Sequence, residues 1–210
     1  MKLSAGLGNP GTQYANTRHN IGFIALDYLS AFLKINFKPG KGDFYFASGK
    51  YRNEDYFLLK PSTFMNNSGL AILQFLEHYA NIEDSMNILV VHDDFHIPLG
   101  TIRIRTNGSD AGHNGVSSVM YHLNTDEFTR MRIGIGKKEI IRKDEYVDFV
   151  LTDFNADETE KIEKLLPVYR DCILSFLTDD IKITMNKFNR NFLPEDAEPV
   201  SDHKPDTDTD

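Results

Sequence analysis

At 210 residues the chain is long enough for one domain with a sizeable core, and 40% hydrophobic against 26% charged residues is an ordinary balance for a globular protein in water. The single cysteine, Cys172, excludes an intrachain disulfide and a cysteine-rich metal site; it lies in a helical pattern beside Ile173 and Leu174 and reads as a buried structural thiol. The net charge of −8 argues against a nucleic-acid partner only until its distribution is read. Residues 194–210 hold seven acids against Lys204, a net −6, which leaves −2 for residues 1–193. Between positions 100 and 143, Arg103, Arg105, Arg130, Arg132, Lys137, Lys138, Arg142 and Lys143 face four acids, a local +4 that the overall charge conceals. No run approaches the ~20 apolar residues of a membrane span, and the N-terminal residues lack the apolar core of a signal peptide. The expectation is a cytoplasmic protein with no membrane contact.

In chain order, residues 2–7 read as a first strand ending in a Gly/Asn/Pro loop. Residues 21–33 carry apolar side chains at helical spacing. Residues 44–48 and 56–59 read as strands about a polar turn at Asn53 to Asp55. A helical stripe runs through Leu70, Leu73 and Leu76 within 63–79. Residues 88–91 form a short, continuously apolar run, as a strand buried on both faces would. Strands at 101–105 and 131–135, helices at 115–123, 157–177 and 181–188 complete the pattern, and no internal repeat is visible. Residues 194–210, rich in Pro, Asp and Thr, read as a disordered acidic tail after a domain spanning 1–193. Strands alternating with helices indicate an α/β fold in a single domain, its central sheet covered on both faces by helices.

Asn, His and Asp recur where the apolar runs stop: GLGNPG (6–11), TRHNIG (17–22), STFMNNSG (62–69), VVHDDF (90–95) and AGHNG (111–115). These side chains are costly to bury without hydrogen bonds, so their placement at strand ends points to a polar site. There is no P-loop lysine, cysteine cluster or GxSxG elbow, which leaves a histidine base with amide helpers and no covalent nucleophile. GLGNPG fits a dinucleotide fingerprint literally, with Asp27 at a suitable distance for a ribose. However, Pro10 removes an N–H from the phosphate loop, and Asp27 falls inside a helical pattern. His92 and His96 have metal-pair spacing, but an extended strand would hold them about 13 Å apart, too far for one zinc. Asn66 and Asn67 would each serve equally as a helix cap, and AGHNG as a turn before a helix.

Taken together, GLGNPG, Tyr14, TRHN, KPSTFMN, HDD, PLG, GHNG and RIGIG resemble bacterial-type peptidyl-tRNA hydrolase from Leu3 to about Phe154, in the family's order and spacing. The resemblance implies a mixed-sheet α/β domain that hydrolyses the ester between a peptide and the 3′-terminal ribose of tRNA, as a monomer and without metal or cofactor. It assigns His19 as the general base, Asp93 as its carboxylate partner, and Asn9 as the amide that stabilises the oxyanion or positions the ester. It assigns Asn66 and Asn114 to substrate binding, with Tyr14, Met65 and Gly112 lining the same crevice, and Arg103, Arg105 and Arg132 to tRNA phosphates.

The chain departs from the family pattern at Ala111, usually glycine, and at His96, often an acid. It also departs at Lys137-Lys138-Glu139, which replaces a Pro-containing turn, and in its acidic tail. Two other readings remain: an RNA-binding homologue without turnover, as in plant organellar splicing factors of this scaffold, and a dinucleotide-dependent oxidoreductase.

Overall fold

Seven strands form one mixed sheet in the order β2-β3-β4-β1-β5-β7-β6 in a computed structural model that describes residues 1–79, 87–137 and 142–193. The strands are β1 (Lys2–Gly6), β2 (Lys38–Pro39), β3 (Phe44–Tyr51), β4 (Glu54–Pro61), β5 (Ile88–Pro98), β6 (Ile102–Arg105) and β7 (Thr129–Gly136). The helices are α1 (Ile21–Leu33), α2 (Ser68–Tyr79), α3 (Asn114–Leu123), α4 (Tyr146–Leu151), α5 (Ala156–Thr178) and α6 (Ile181–Phe188). The tail expected at 194–210, and Lys138 and Glu139 of the basic segment, lie outside the described residues.

β4, β1, β5 and β7 run parallel in the centre, and the remaining strands are antiparallel at the two edges. The alternation along β5 shows why its sequence is continuously apolar. Ile88 and Val90 enter a core with Phe75 of α2 and Val119 of α3; Leu89 and Val91 enter the opposite core with Leu26 of α1 and Ile173 of α5. Each such fully buried side chain contributes roughly 1.5–3 kcal/mol. Cys172 belongs to the second core, and burial pushes its thiol far above the ordinary value, consistent with an inert packing role.

Three boundaries differ from the sequence reading. The β3–β4 turn is the pair Arg52-Asn53, with φ of 47° and 70°, which is the doubly left-handed geometry of a tight hairpin, so both strands run longer than expected. Lys50 lies opposite Asp55 across this hairpin, and polar strand ends of that kind look like turn in a sequence. Helix α2 begins only at Ser68, after a single 3-10 turn at Met65–Asn67. Strand β5 continues past Val91 to Pro98. β1 stops at Gly6, opposite Val91, but β7 goes on pairing with β5 through Asp94. His92, Asp93 and Asp94 therefore sit within a strand that has lost one neighbour, not at a strand end. The short elements β2 and α4 were not foreseen.

Candidate active site

The opening left where β1 ends is filled by the start of α1. Glycine makes this possible: a Cβ at Gly22 would lie 2.4 Å from the Val91 carbonyl oxygen and 2.5 Å from that of Leu7, and one at Gly6 would lie 2.5 Å from the Gly22 carbonyl oxygen. The loop after β1, carrying Asn9, and the 3-10 turn Arg18–Asn20 before α1 are thus pressed together at the carboxyl end of the sheet. β4 and β1 lie on one side of this point and β5 and β7 on the other, which is where open α/β sheets place ligands.

His19 Nδ1 lies 2.8 Å from Asp93 Oδ1, and His113 Nε2 lies 3.0 Å from the same oxygen. All three residues are buried. The tautomer of His113 follows from its other nitrogen: Nδ1 accepts from the backbone N–H groups of Gly115 and Val116, capping α3, so Nε2 carries the proton it donates to Asp93. Burial would push the His19 imidazole down, but the Asp93 charge and hydrogen bond outweigh it, and the group is raised above its ordinary value. Burial would raise the Asp93 carboxyl, yet the two imidazoles facing it hold it far below the usual carboxylate range. Asp93 is therefore an anion, and His19 donates to it from Nδ1, which leaves Nε2 as the nitrogen that can act as a base once unprotonated.

His19, Asp93 and His113 each offer an atom within 4.8 Å of the others, near enough to consider a metal ion. Ligation by His113 Nε2 would require it to lose its proton while Nδ1 still accepts two N–H bonds, which makes an imidazolate. The donor set does not suit a metal as it stands. His92 and His96 both lie on β5. His92 donates from Nδ1 to the Asp93 carbonyl (2.7 Å), and its burial pushes the ring well below its ordinary value, so it is neutral. His96 is exposed and packs against the ring of Phe95.

Asn9 is buried and oriented by its neighbours. Its Oδ1 accepts from the Met65 N–H (2.8 Å), so its amide nitrogen is turned the other way and has no protein partner among the described residues. Asn20 clamps the same loop, accepting from Asn9 N–H (2.7 Å) and donating to Asn9 O (3.0 Å). Asn20 and His113 are site residues that the sequence reading left out, although both stand in the motifs it singled out. Met65 is buried, with its sulfur against Gly115. Asn66 and Asn114 follow Met65 and His113 as exposed amides with no protein hydrogen bond among the described residues. Tyr14 meets Phe64 edge-on, and Phe64 is 57% exposed, an aromatic lip that the sequence reading also missed.

Ala111 and Gly112 both adopt positive φ, 49° and 80°. The left-handed region costs an alanine about 1–2 kcal/mol, part of which glycine would return as unfolded-state entropy. We expect Ala111→Gly to stabilise the protein by less than about 1 kcal/mol, a rise of roughly 1–3 °C in the unfolding midpoint. A lowered midpoint in calorimetry would show that this loop carries no strain.

Arg103, Arg105, Arg130 and Arg132 occupy paired positions on β6 and β7, and Arg132 lies opposite His92 in the neighbouring strand β5. Arg105 is exposed and Arg103 half-buried. Arg132 donates from Nε to Asp94 (2.6 Å), so its charge is partly neutralised. Arg130, counted in the basic segment but not assigned to tRNA phosphates, is 2% exposed over the Phe128 ring. Asp27, the one acid that suited a dinucleotide, lies in α1 and pairs with Lys60. No helix among the described residues is long and apolar enough to cross a membrane.

A buried imidazole paired with a carboxylate, set beside an oriented amide on a doubly wound sheet, is the arrangement of a hydrolase site. The family model for peptidyl-tRNA hydrolase matches residues 3–196. The chain is 43% identical to the peptidyl-tRNA hydrolase of Persephonella marina over 195 residues, 92% of this chain and 100% of that protein. It is also 43% identical to that of Chlorobium limicola over 190 residues, 90% and 98% of the two chains. A crystal structure of peptidyl-tRNA hydrolase from Acinetobacter baumannii superposes with a TM-score of 0.83 at 30% identity, covering 91% and 95% of the two chains. This chain belongs to the peptidyl-tRNA hydrolase family.

Proposed function

We propose that the protein hydrolyses the ester joining a peptide, or an N-blocked amino acid, to the 3′-terminal ribose of tRNA, with His19 as general base. The observation that carries this reading is the His19–Asp93 bond together with the amide nitrogen of Asn9, which has no protein partner among the described residues. His19 Nε2 takes a proton from water as the water oxygen attacks the ester carbonyl. Asp93 stabilises the imidazolium that forms. Asn9 donates to the oxyanion, an interaction worth about 3 kcal/mol for one such donor. Collapse of the intermediate breaks the bond to the ribose 3′ oxygen, which receives the proton from Nε2, and the peptide leaves as a carboxylic acid. Tyr14, Met65, Asn66, Gly112 and Asn114 hold the peptide and the tRNA 3′ end, with the Asn amides offering both donors and acceptors. The exposed Phe64 beside Tyr14 suits stacking of an unpaired base. The reaction needs no metal and no cofactor, and the protein acts as a cytoplasmic monomer.

The test is release of the N-blocked amino acid from N-acetylated aminoacyl-tRNA in the presence of EDTA. Release supports a metal-free esterase; retention of intact substrate with tRNA still bound would replace the proposal with RNA binding alone.

Arg103, Arg105 and Arg132 are proposed to contact tRNA phosphates, and their environments separate them. Arg105→Ala is expected to weaken tRNA binding and to reduce the slope of log affinity against log salt by about 0.7–0.9, one phosphate contact. Arg132→Ala should change the slope less, because Asp94 already offsets that charge. Titrations at several salt concentrations check both, and an unchanged slope for Arg105→Ala would place the contacts elsewhere.

A further inference from the structure

His19 is held between two anchored neighbours. On one side Asn20 grips the Asn9 loop; on the other Arg18 reaches away from the cleft into the α4–α5 junction. Arg18 is 3% exposed. Its Nη1 donates to the carbonyl oxygens of Phe149 (3.2 Å) and Thr152 (3.0 Å), and its Nη2 donates to Glu158 Oε2 (2.6 Å). The guanidinium lies over the rings of Phe149, at 4.5 Å, and Phe154, at 5.5 Å. The main chain follows the same path: Arg18 N–H donates to Thr152 O, Phe154 N–H donates to Asn16 O, and Thr17 bridges to Asp153. Glu158 also caps α5, since its Oε2 accepts from Asn155 N–H while Asn155 Oδ1 accepts from Glu158 N–H.

A buried ion pair of this kind does little for stability that well-packed apolar side chains would not do, and its better-attested use is to fix one register. Here the register is that of a three-residue 3-10 turn whose middle residue is His19. We propose that Arg18, through Glu158 and the carbonyl groups at the end of α4, is a positioning residue that holds the His19 ring on Asp93. It touches neither substrate nor the reacting atoms. The proposal rests on His19 being the base, but its key readout does not.

Two variants test it. In Arg18→Met/Glu158→Gln both charges are removed together, and glutamine can keep the cap on α5. In Arg18→Lys the charge remains, but an ammonium cannot span both carbonyl groups and the carboxylate in the guanidinium's planar geometry. Each is assayed for kcat and KM separately, and by NMR for the low-field Nδ1 proton of His19 in its bond to Asp93. The expected result for the double variant is a kcat lowered by about 10- to 100-fold, the scale of a sub-ångström to 1 Å misplacement. KM should be nearly unchanged and the Nδ1 resonance shifted upfield or exchange-broadened. Arg18→Lys should fall between wild type and the double variant. A wild-type kcat with an unmoved resonance overturns the proposal, and so does a lowered kcat with an unmoved resonance, since Arg18 would then act by another route. If the double variant fails to fold, Arg18→Lys is judged by the same readouts. A resonance that moves in an enzyme whose His19→Ala variant stays active would leave the positioning role standing and remove only the general-base reading.

Discussion

Replacing His19 with alanine is expected to lower turnover of N-acetylated aminoacyl-tRNA by about 10³-fold, within the range for a positioned general base, while tRNA affinity stays near wild type. The separation of the two effects follows from position. His19 is buried beside Asp93, whereas the exposed groups that can meet the RNA, Phe64, Asn66, Asn114 and Arg105, do not depend on its ring. Single-turnover rates and equilibrium binding to uncharged tRNA measure the two quantities independently. Full activity in the variant would remove His19 from the mechanism; lost binding with lost activity would mean that the ring supports the cleft instead of acting in it.

The second large effect is at Asp93. Asp93→Asn can keep a hydrogen bond to His19 but removes the anion, so the imidazolium formed during attack loses its partner and the His19 tautomer is no longer assured. A loss of about 10⁴-fold in kcat is the scale for this change in a His–Asp pair. The pH dependence carries a sign that a simple structural defect would not produce. In the wild type, burial lowers the His19 pKa, but Asp93 raises it further, so the net shift is upward. A base must be unprotonated, so activity falls as pH drops through a value above the ordinary 6.5 of an imidazole. Without the Asp93 charge, burial acts alone, and the acid limb of the residual activity should move below 6.5. An acid limb that stays in place would show that Asp93 does not set the protonation of His19.

The same shifts predict opposite contributions to stability. The raised His19 stabilises the fold below about pH 6.5, and that contribution is lost as pH rises through its higher folded value. The depressed Asp93 stabilises the fold above about pH 3.9, and that contribution is lost as pH falls toward its much lower folded value.

Much of the architecture was legible in the residues. The continuously apolar run 88–91 read as a strand covered on both faces, and α1 and α5 announced themselves by helical spacing. The strand after His92 was not legible, because its polar residues pair on one side only, with β7, after β1 has ended. Helix α4 is only six residues long, too short for its periodicity to show, and Arg18 holds its last carbonyl groups from outside. At the site, motif order pointed to His19, Asp93 and Asn9. His113 read equally as a turn residue, and its role became visible only once its two nitrogens could be assigned separately.

By itself the sequence determined the class of fold and the family, and pointed to the side chains proposed to carry the chemistry, because residue type and local spacing decide strand, helix and turn, and the family's motifs stand in order along the chain. The tertiary structure decided how those side chains face one another. Asn9 meets Met65 across 56 residues, His19 meets Asp93 across 74, and Arg18 meets Glu158 across 140. These meetings follow from a strand order that sets β1 between β4 and β5. The direction of each hydrogen bond, and with it the tautomer of each imidazole and the facing of the Asn9 amide, depends on which donors and acceptors the fold brings within about 3 Å, a property no single segment of the chain contains.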